Sequence, residues 1–235
     1  MKKTIFVFAS LSLILLSAGG VSAQSSLLVE EEHVSVESDD WFNFELRGGP
    51  YVPDVGNNSF EASFPDDKGL MWAVEIDALL LRIPYFGQLG GGLSLGWSDY
   101  EAQAASTSGT ASEKTSLTLI PLGAQAVLYL DVLAREFNIP FVFLGKLGLD
   151  TVFWNTNTGA RDDAAGTSFG LKWGLQAALE LDFIERDTAR NLDEEYGINH
   201  TRLFIEFYGS TAGSNENSLP VGDPFTWALG LAFTI

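Results

Sequence analysis

The chain has 235 residues, 46% of them hydrophobic and 12% aromatic, with 24 Gly and a formal net charge of −18. It contains no Cys, which excludes disulfides, thiolate metal sites and thiol catalysis. So acidic a chain is a poor candidate for binding nucleic acid or an anionic phosphate surface.

Lys2 and Lys3 precede an apolar run, Ile5 to Leu16, which is followed by small residues ending in Val21-Ser22-Ala23. A charged start, a short apolar stretch and a small-residue cut site predict a signal peptide over 1–23. The apolar run is too short to span about 30 Å of hydrocarbon as a helix. No Cys follows it, so no lipid anchor is expected. Residues 24–40 are polar and acidic, with Glu30-Glu31-Glu32, Asp39 and Asp40, and read as a flexible leader.

Residues 41–235 carry eight segments with period-two patterning, at about 41–50, 69–82, 87–100, 115–131, 139–154, 167–183, 200–211 and 225–235. In the last, Phe225, Trp227, Leu229, Leu231, Phe233 and Ile235 alternate with Thr226, Ala228, Gly230, Ala232 and Thr234. Successive strand side chains point to opposite faces, so one face is greasy and the other small. The sixth segment repeats this, setting Phe169, Leu171, Trp173 and Leu175 against Ser168, Gly170, Lys172, Gly174 and Gln176. The fourth is the least regular. Pro121 cannot donate a ladder hydrogen bond, which predicts a bulge or register change there.

The pattern predicts an all-β fold, an eight-stranded antiparallel up-and-down transmembrane β-barrel with lipid outside. Long and short connections roughly alternate, as in barrels with long outer loops and short periplasmic turns. The sixth connection breaks that rule. Its segment Glu185 to Gly197 has helix-compatible residues with Ala189, Leu192 and Tyr196 on one face, predicting a short periplasmic helix. A soluble lipocalin-type barrel is the structural rival. It would have to bury the bulky face in an interior with room for little more than side chains.

Aromatic residues fall into two groups along the strands. Tyr51, Trp72, Trp97, Tyr100, Phe153, Trp173, Phe225 and Trp227 sit toward the outer ends. Phe42, Tyr85, Phe86, Phe137, Phe183 and Phe233 sit toward the inner ends. The two groups predict aromatic girdles at both interfaces. Charged strand residues all take the small face: Glu45, Arg47, Glu75, Asp77, Lys146, Asp150, Lys172, Glu180, Asp182, Arg202 and Glu206. A basic side chain at mid-membrane on the lipid face would cost about 2–4 kcal/mol, so these are expected inside. There Arg47, Lys146, Lys172 and Arg202 are the basic members of a structural charge network.

No catalytic set, cofactor site or metal site is expected. The two His are His33 in the leader and His200 at the periplasmic start of the seventh strand, both far from the outer rim. Asp66-Asp67 and Asp162-Asp163 could hold Ca²⁺ weakly, but no loop shows a full ligand pattern. Gly90-Gly91-Gly92 lacks the Lys and helix start of a phosphate loop.

Several blocks together resemble the small outer-membrane β-barrel superfamily of opacity-type and OmpA/OmpW-like proteins. More closely, they are similar to an outer-membrane barrel family with no assigned activity. The blocks are Glu45-Leu46-Arg47, Gly49-Pro50-Tyr51 with Pro53-Asp54, Lys146-Leu147-Gly148-Leu149, and Leu192 to Thr201. The terminal Gly230-Leu231-Ala232-Phe233-Thr234-Ile235 resembles the signal read by the barrel assembly machinery, with Gly230, Phe233 and Ile235 as its marks. Ile235 stands where that signal favours an aromatic. The resemblance implies outer-membrane lipid and the assembly machinery as partners, and supplies no substrate. The expected role is non-enzymatic, structural or surface-interacting. A narrow solute channel is the alternative, and a lipid-modifying enzyme a more distant one.

Overall fold

The computed structural model describes residues 40–55, 60, 64, 69–103, 114–157, 164–184, 191–192, 195–214 and 218–235. The expected signal peptide, the expected leader before Asp40 and both acidic pairs considered for Ca²⁺ lie outside the described residues. So does most of the predicted helix in the sixth connection.

Eight strands run in chain order: β1 (Phe42–Pro50), β2 (Leu70–Ile83), β3 (Gly87–Gln103), β4 (Lys114–Leu130), β5 (Phe141–Asn157), β6 (Ala164–Glu180), β7 (His200–Ser210) and β8 (Thr226–Thr234). Each pairs antiparallel with the next, and β8 pairs with β1 to close the barrel. At the seam Glu45 stands opposite Ala232 and Arg47 opposite Gly230. The backbone N–H groups of Trp41 and Phe42 also donate to the Ile235 carbonyl, at 2.8 and 2.9 Å. A closed barrel leaves no strand edge unpaired.

The alternation sorts the residues as the pattern requires. Leu46, Trp72, Val74, Leu93, Leu95, Leu147, Leu149, Leu171, Leu175, Trp227 and Leu229 are all exposed on the outside. Their neighbours in sequence face inward and most are buried. An apolar belt this continuous is far larger than a water-soluble monomer exposes, and it has the polarity of a transmembrane barrel. The interior accommodates long charged side chains because their ladder neighbours are small. Asp77 pairs with Gly92, Lys146 with Gly174, Lys172 with Gly148, and Asp150 with Gly123 and Gly170. A Cβ on Gly92 would collide with the Asp77 carboxylate, and one on Gly174 would crowd Glu206.

The structure differs from expectation in four places. The first is Pro121, where the register is unbroken. Pairing of β4 to β3 lapses opposite Gly96 and Trp97, then resumes unshifted, since Leu95–Leu122 and Ser98–Leu119 share one register. The missing N–H removes ladder bonds without inserting a residue. The bulge lies instead in β2, where the pairing to β3 shifts between Leu79 and Leu81. Leu79 is buried, whereas Leu80 and Leu81 are both exposed. Second, Tyr51 and Tyr100 do not join an aromatic girdle; both are buried inside the barrel. Tyr51 keeps the parity of Glu45 and Arg47, and Tyr100 that of Ser94 and Ser98, so both point inward.

Third, a short helix not expected from the sequence, α1 (Val132–Phe137), lies in the fourth connection. Asn138 ends it in the left-handed region at φ 53°, its N–H bonding back to the Leu133 carbonyl. In the sixth connection Asn191, Leu192, Glu195 and Tyr196 are helical. Fourth, Asp40, where the expected leader meets the barrel, is held by side-chain partners. The Asp40 carboxylate lies 3.6 Å from Arg82 and accepts from Asn199 Nδ2 at 3.1 Å.

Candidate functional site

The barrel interior and its two rims carry the polar chemistry of this chain. At mid-barrel Lys146 Nζ lies 2.6 Å from both Glu45 and Glu75, and 3.6 Å from Glu206. Arg47 ion-pairs with Glu206 and lies 3.1 Å from Glu75. Its guanidinium also sits over the Tyr208 ring, 5.4 Å from the centroid. Asn43 Nδ2 donates to Glu45 at 2.9 Å and to Asp77 at 3.2 Å, and Gln176 Nε2 donates to Glu45 at 3.2 Å. All these side chains are buried. Opposite charges this close, with extra hydrogen bonds, offset the cost of removing them from water.

The inward-facing charged residues do not form a single network. Glu45, Arg47, Glu75, Lys146 and Glu206 are joined by ion pairs, and Asp77 is linked through Asn43. Lys172 donates to Ser94 Oγ at 2.7 Å and makes no ion pair among the described residues. Asp150 makes none either. Arg202 and Glu180 form a separate pair at 3.1 Å toward the near rim, which holds the start of β1 and the end of β8. Arg202 also bonds Thr234 and lies over the Tyr129 ring. Asn43, Ser94, Gln176 and Tyr208 are partners not anticipated from the charges alone. Asn43, Gln176 and Tyr208 share the parity of Glu45, Lys172 and Glu206 on their own strands, and Ser94 falls on the small-residue face of β3 with Gly92 and Ser98.

At the far rim the interior is closed by packed side chains. Tyr51, Phe60, Phe64, Tyr100, Tyr208 and Val221 are buried together. Phe60 and Phe64 stack at 5.0 Å, and Phe60 meets Tyr100 edge-on at 4.9 Å. Gly69, with φ 55°, lies beneath the Tyr100 ring, where a Cβ would overlap it. The Tyr51 hydroxyl donates to the Val221 carbonyl at 2.9 Å, and the Asp223 N–H donates to the Tyr51 oxygen at 3.2 Å. The Asp223 carboxylate accepts from the Val52 and Phe225 N–H groups. Burial still holds the Asp223 carboxyl above the ordinary Asp value, with those two hydrogen bonds acting in the opposite sense. Beneath this closure remains a cavity of about 20 Å³ between Arg47, Asp150, Lys172 and Tyr208. That is room for about one water molecule.

At the near rim His200 Nδ1 lies 2.8 Å from Asp182 and 4.0 Å from Glu180. These three could in principle share a cation. Glu180 is already engaged by Arg202, and Asp182 by His200, so the carboxylates are taken up by rim side chains. Gly230, Phe233 and Ile235 lie on the closing strand. Gly230 stands between Phe204 and Arg47, Phe233 is half-buried, and the Ile235 N–H donates to the Phe42 carbonyl at 2.9 Å.

A charged, filled interior inside an apolar exterior defines the class: an eight-stranded transmembrane β-barrel. No family model matches the chain, and no curated protein matches it. Among solved structures it is similar to Ail, the attachment invasion locus protein of Yersinia pestis, in complex with the heparin analogue sucrose octasulfate. That likeness has 9% identity over 83% of this chain and 97% of the other, with TM-score 0.46. It is similar to Neisserial surface protein A at 12% identity, over 83% and 97% of the two chains, with TM-score 0.45. It is also similar to the outer-membrane enzyme PagL at 8% identity, over 82% and 98%, with TM-score 0.40. The assignment of class rests on the barrel's own polarity and closure.

Proposed function

We propose that this chain is an exported, non-enzymatic protein of the bacterial outer membrane whose far-rim loops form a surface-interaction face. The near rim would then face the periplasm, and outer-membrane lipid would cover the apolar belt. The carrying observation is the closure at the far rim. Tyr51 from the first loop is bonded to Val221 and Asp223 of the last, over a packed aromatic cluster. Below it, Arg47 and Lys146 bind their carboxylates across the bore. The interior charges therefore act as a structural fastening, and the loops are what the barrel presents to the outside.

A planar-bilayer recording of the purified, refolded barrel tests this reading. The expected record is silent. Discrete openings, lost when lumenal residues are changed, would establish the solute channel instead. Heat-modifiable gel mobility in detergent tests the membrane setting, because a chain that stays soluble and monomeric without detergent is not a membrane barrel.

A further inference from the structure

We propose that the cleft between the β2–β3 turn and α1 binds the headgroup of a zwitterionic phospholipid. The proposal rests on the membrane reading above, which puts this near-rim cleft level with the periplasmic leaflet. The cleft has a volume of about 290 Å³, and Arg82, Tyr85, Phe86, Asp131, Arg135 and Glu136 are among its lining residues. Its charges are of both signs and unequally committed. Arg82 is held by Asp131 at 2.8 Å and by Asp40 at 3.6 Å. Arg135 and Glu136, adjacent and exposed in the last turn of α1, have no side-chain partner among the described residues. A free guanidinium beside a free carboxylate matches a phosphate joined to an ammonium by a short linker.

The rim of the cleft supplies the apolar half of the recognition. Tyr85 is 83% exposed and Phe86 48%, and Phe137 follows Glu136 with 64% exposed. At this level Tyr85 is an amphipathic anchor at the hydrocarbon boundary, and Phe86 and Phe137 add apolar surface beside it. Tyr85 also adopts φ 60°, an uncommon conformation for a bulky residue. The turn thus holds a strained tyrosine outward at the cleft mouth, where glycine would have relieved the strain. The apolar belt begins immediately beyond, so acyl chains can run along the strands while the headgroup occupies the cleft.

The refolded full barrel, its fold checked by heat-modifiable mobility, would be mixed with phosphatidylethanolamine in detergent and weighed intact by native mass spectrometry. One retained lipid is expected, with affinity falling about tenfold in Arg135→Gln and also falling in Glu136→Gln. Retention unchanged in a folded Arg135→Gln variant would overturn the proposal. Displacement of the lipid by equimolar inorganic phosphate would overturn it too, by making the site one for a free anion. A folded barrel that retains no lipid sinks the headgroup site alone. Failure to show heat-modifiable mobility sinks the membrane reading beneath it.

Discussion

Tyr51 and Val221 are 170 residues apart in sequence and joined by one hydrogen bond of 2.9 Å across the far rim of the barrel. The phenol is also the acceptor for the Asp223 amide, so one side chain satisfies two backbone groups of the last loop. Replacing Tyr51 with Phe keeps the ring in the aromatic cluster but leaves a buried carbonyl and a buried N–H without their partner. With each orphaned group costing about 1–3 kcal/mol, the expected loss is a few kcal/mol at most and at least about 1, read as a lower midpoint of urea unfolding in detergent. Tyr51→Ala removes the ring as well, and in bilayer recordings that variant should open where Tyr51→Phe stays shut. A silent Tyr51→Ala would place the barrier deeper, in the charged layer.

Lys146 is the centre of that layer, facing Glu45, Glu75 and Glu206 at once. Lys146→Met would leave three buried carboxylates with Arg47 as the one cation still in ion-pair reach of them among the described residues. Removing one partner of a buried ion pair costs about 3–5 kcal/mol, so this variant should unfold at much lower urea than the parent. Lys172→Met gives up a hydrogen bond to Ser94 and no ion pair, and should lose less. Arg202→Met, whose carboxylate partner is the half-buried Glu180, should also fall short of the Lys146 effect. Equal losses in all three would mean the interior charges behave as one connected set.

Much of this is legible in the alternation of the strands, and the remainder is hidden for identifiable reasons. The parity of Glu45 and Arg47 states which face is inward, and it continues without a break to Tyr51. Reading Tyr51 by its height along the strand instead of its parity puts it in a girdle it does not join. The bulge in β2 is invisible because Leu79-Leu80-Leu81 are identical residues and carry no phase. The helix α1 has 6 residues, fewer than two turns, and is too short for a periodic signal. Ion partners depend on strand stagger as well as parity. Glu45 on β1 and Lys146 on β5 meet across the bore, while Lys172, on the same inward face, reaches only a hydroxyl.

The Asp223 carboxyl titrates above its ordinary value because the folded far rim buries it. The folded state therefore holds this proton more firmly than the unfolded chain does. Its contribution to stability is full below the ordinary Asp value and is lost as pH rises through the raised value. Amide hydrogen exchange at Val52 and Phe225, which donate to this carboxylate, should report slower opening of the loop in acid once corrected for intrinsic rates. Asp223→Asn should remove that pH dependence while keeping one acceptor in place. A persistent slope in the variant would assign the titration to another group.

Gly230 separates closure of the barrel from recognition of its last strand. A Cβ there would overlap the Phe204 ring and crowd the Leu46 carbonyl, and a carbonyl in the β1 ladder has nowhere to move. Gly230→Val should therefore fail to give a folded band even when refolded in detergent, with no cellular machinery present. Phe233 is half-buried, and Phe233→Ala keeps the backbone pairing to Phe44 and Thr201. That variant should refold in detergent yet accumulate poorly in the outer membrane of cells, if the terminal segment is read during assembly. A chain lacking Phe225 to Ile235 should fail in both settings, because β1 and β7 would be left as open edges. Efficient cellular assembly of Phe233→Ala would leave the strand with a structural role only, as the seam that completes the ladder.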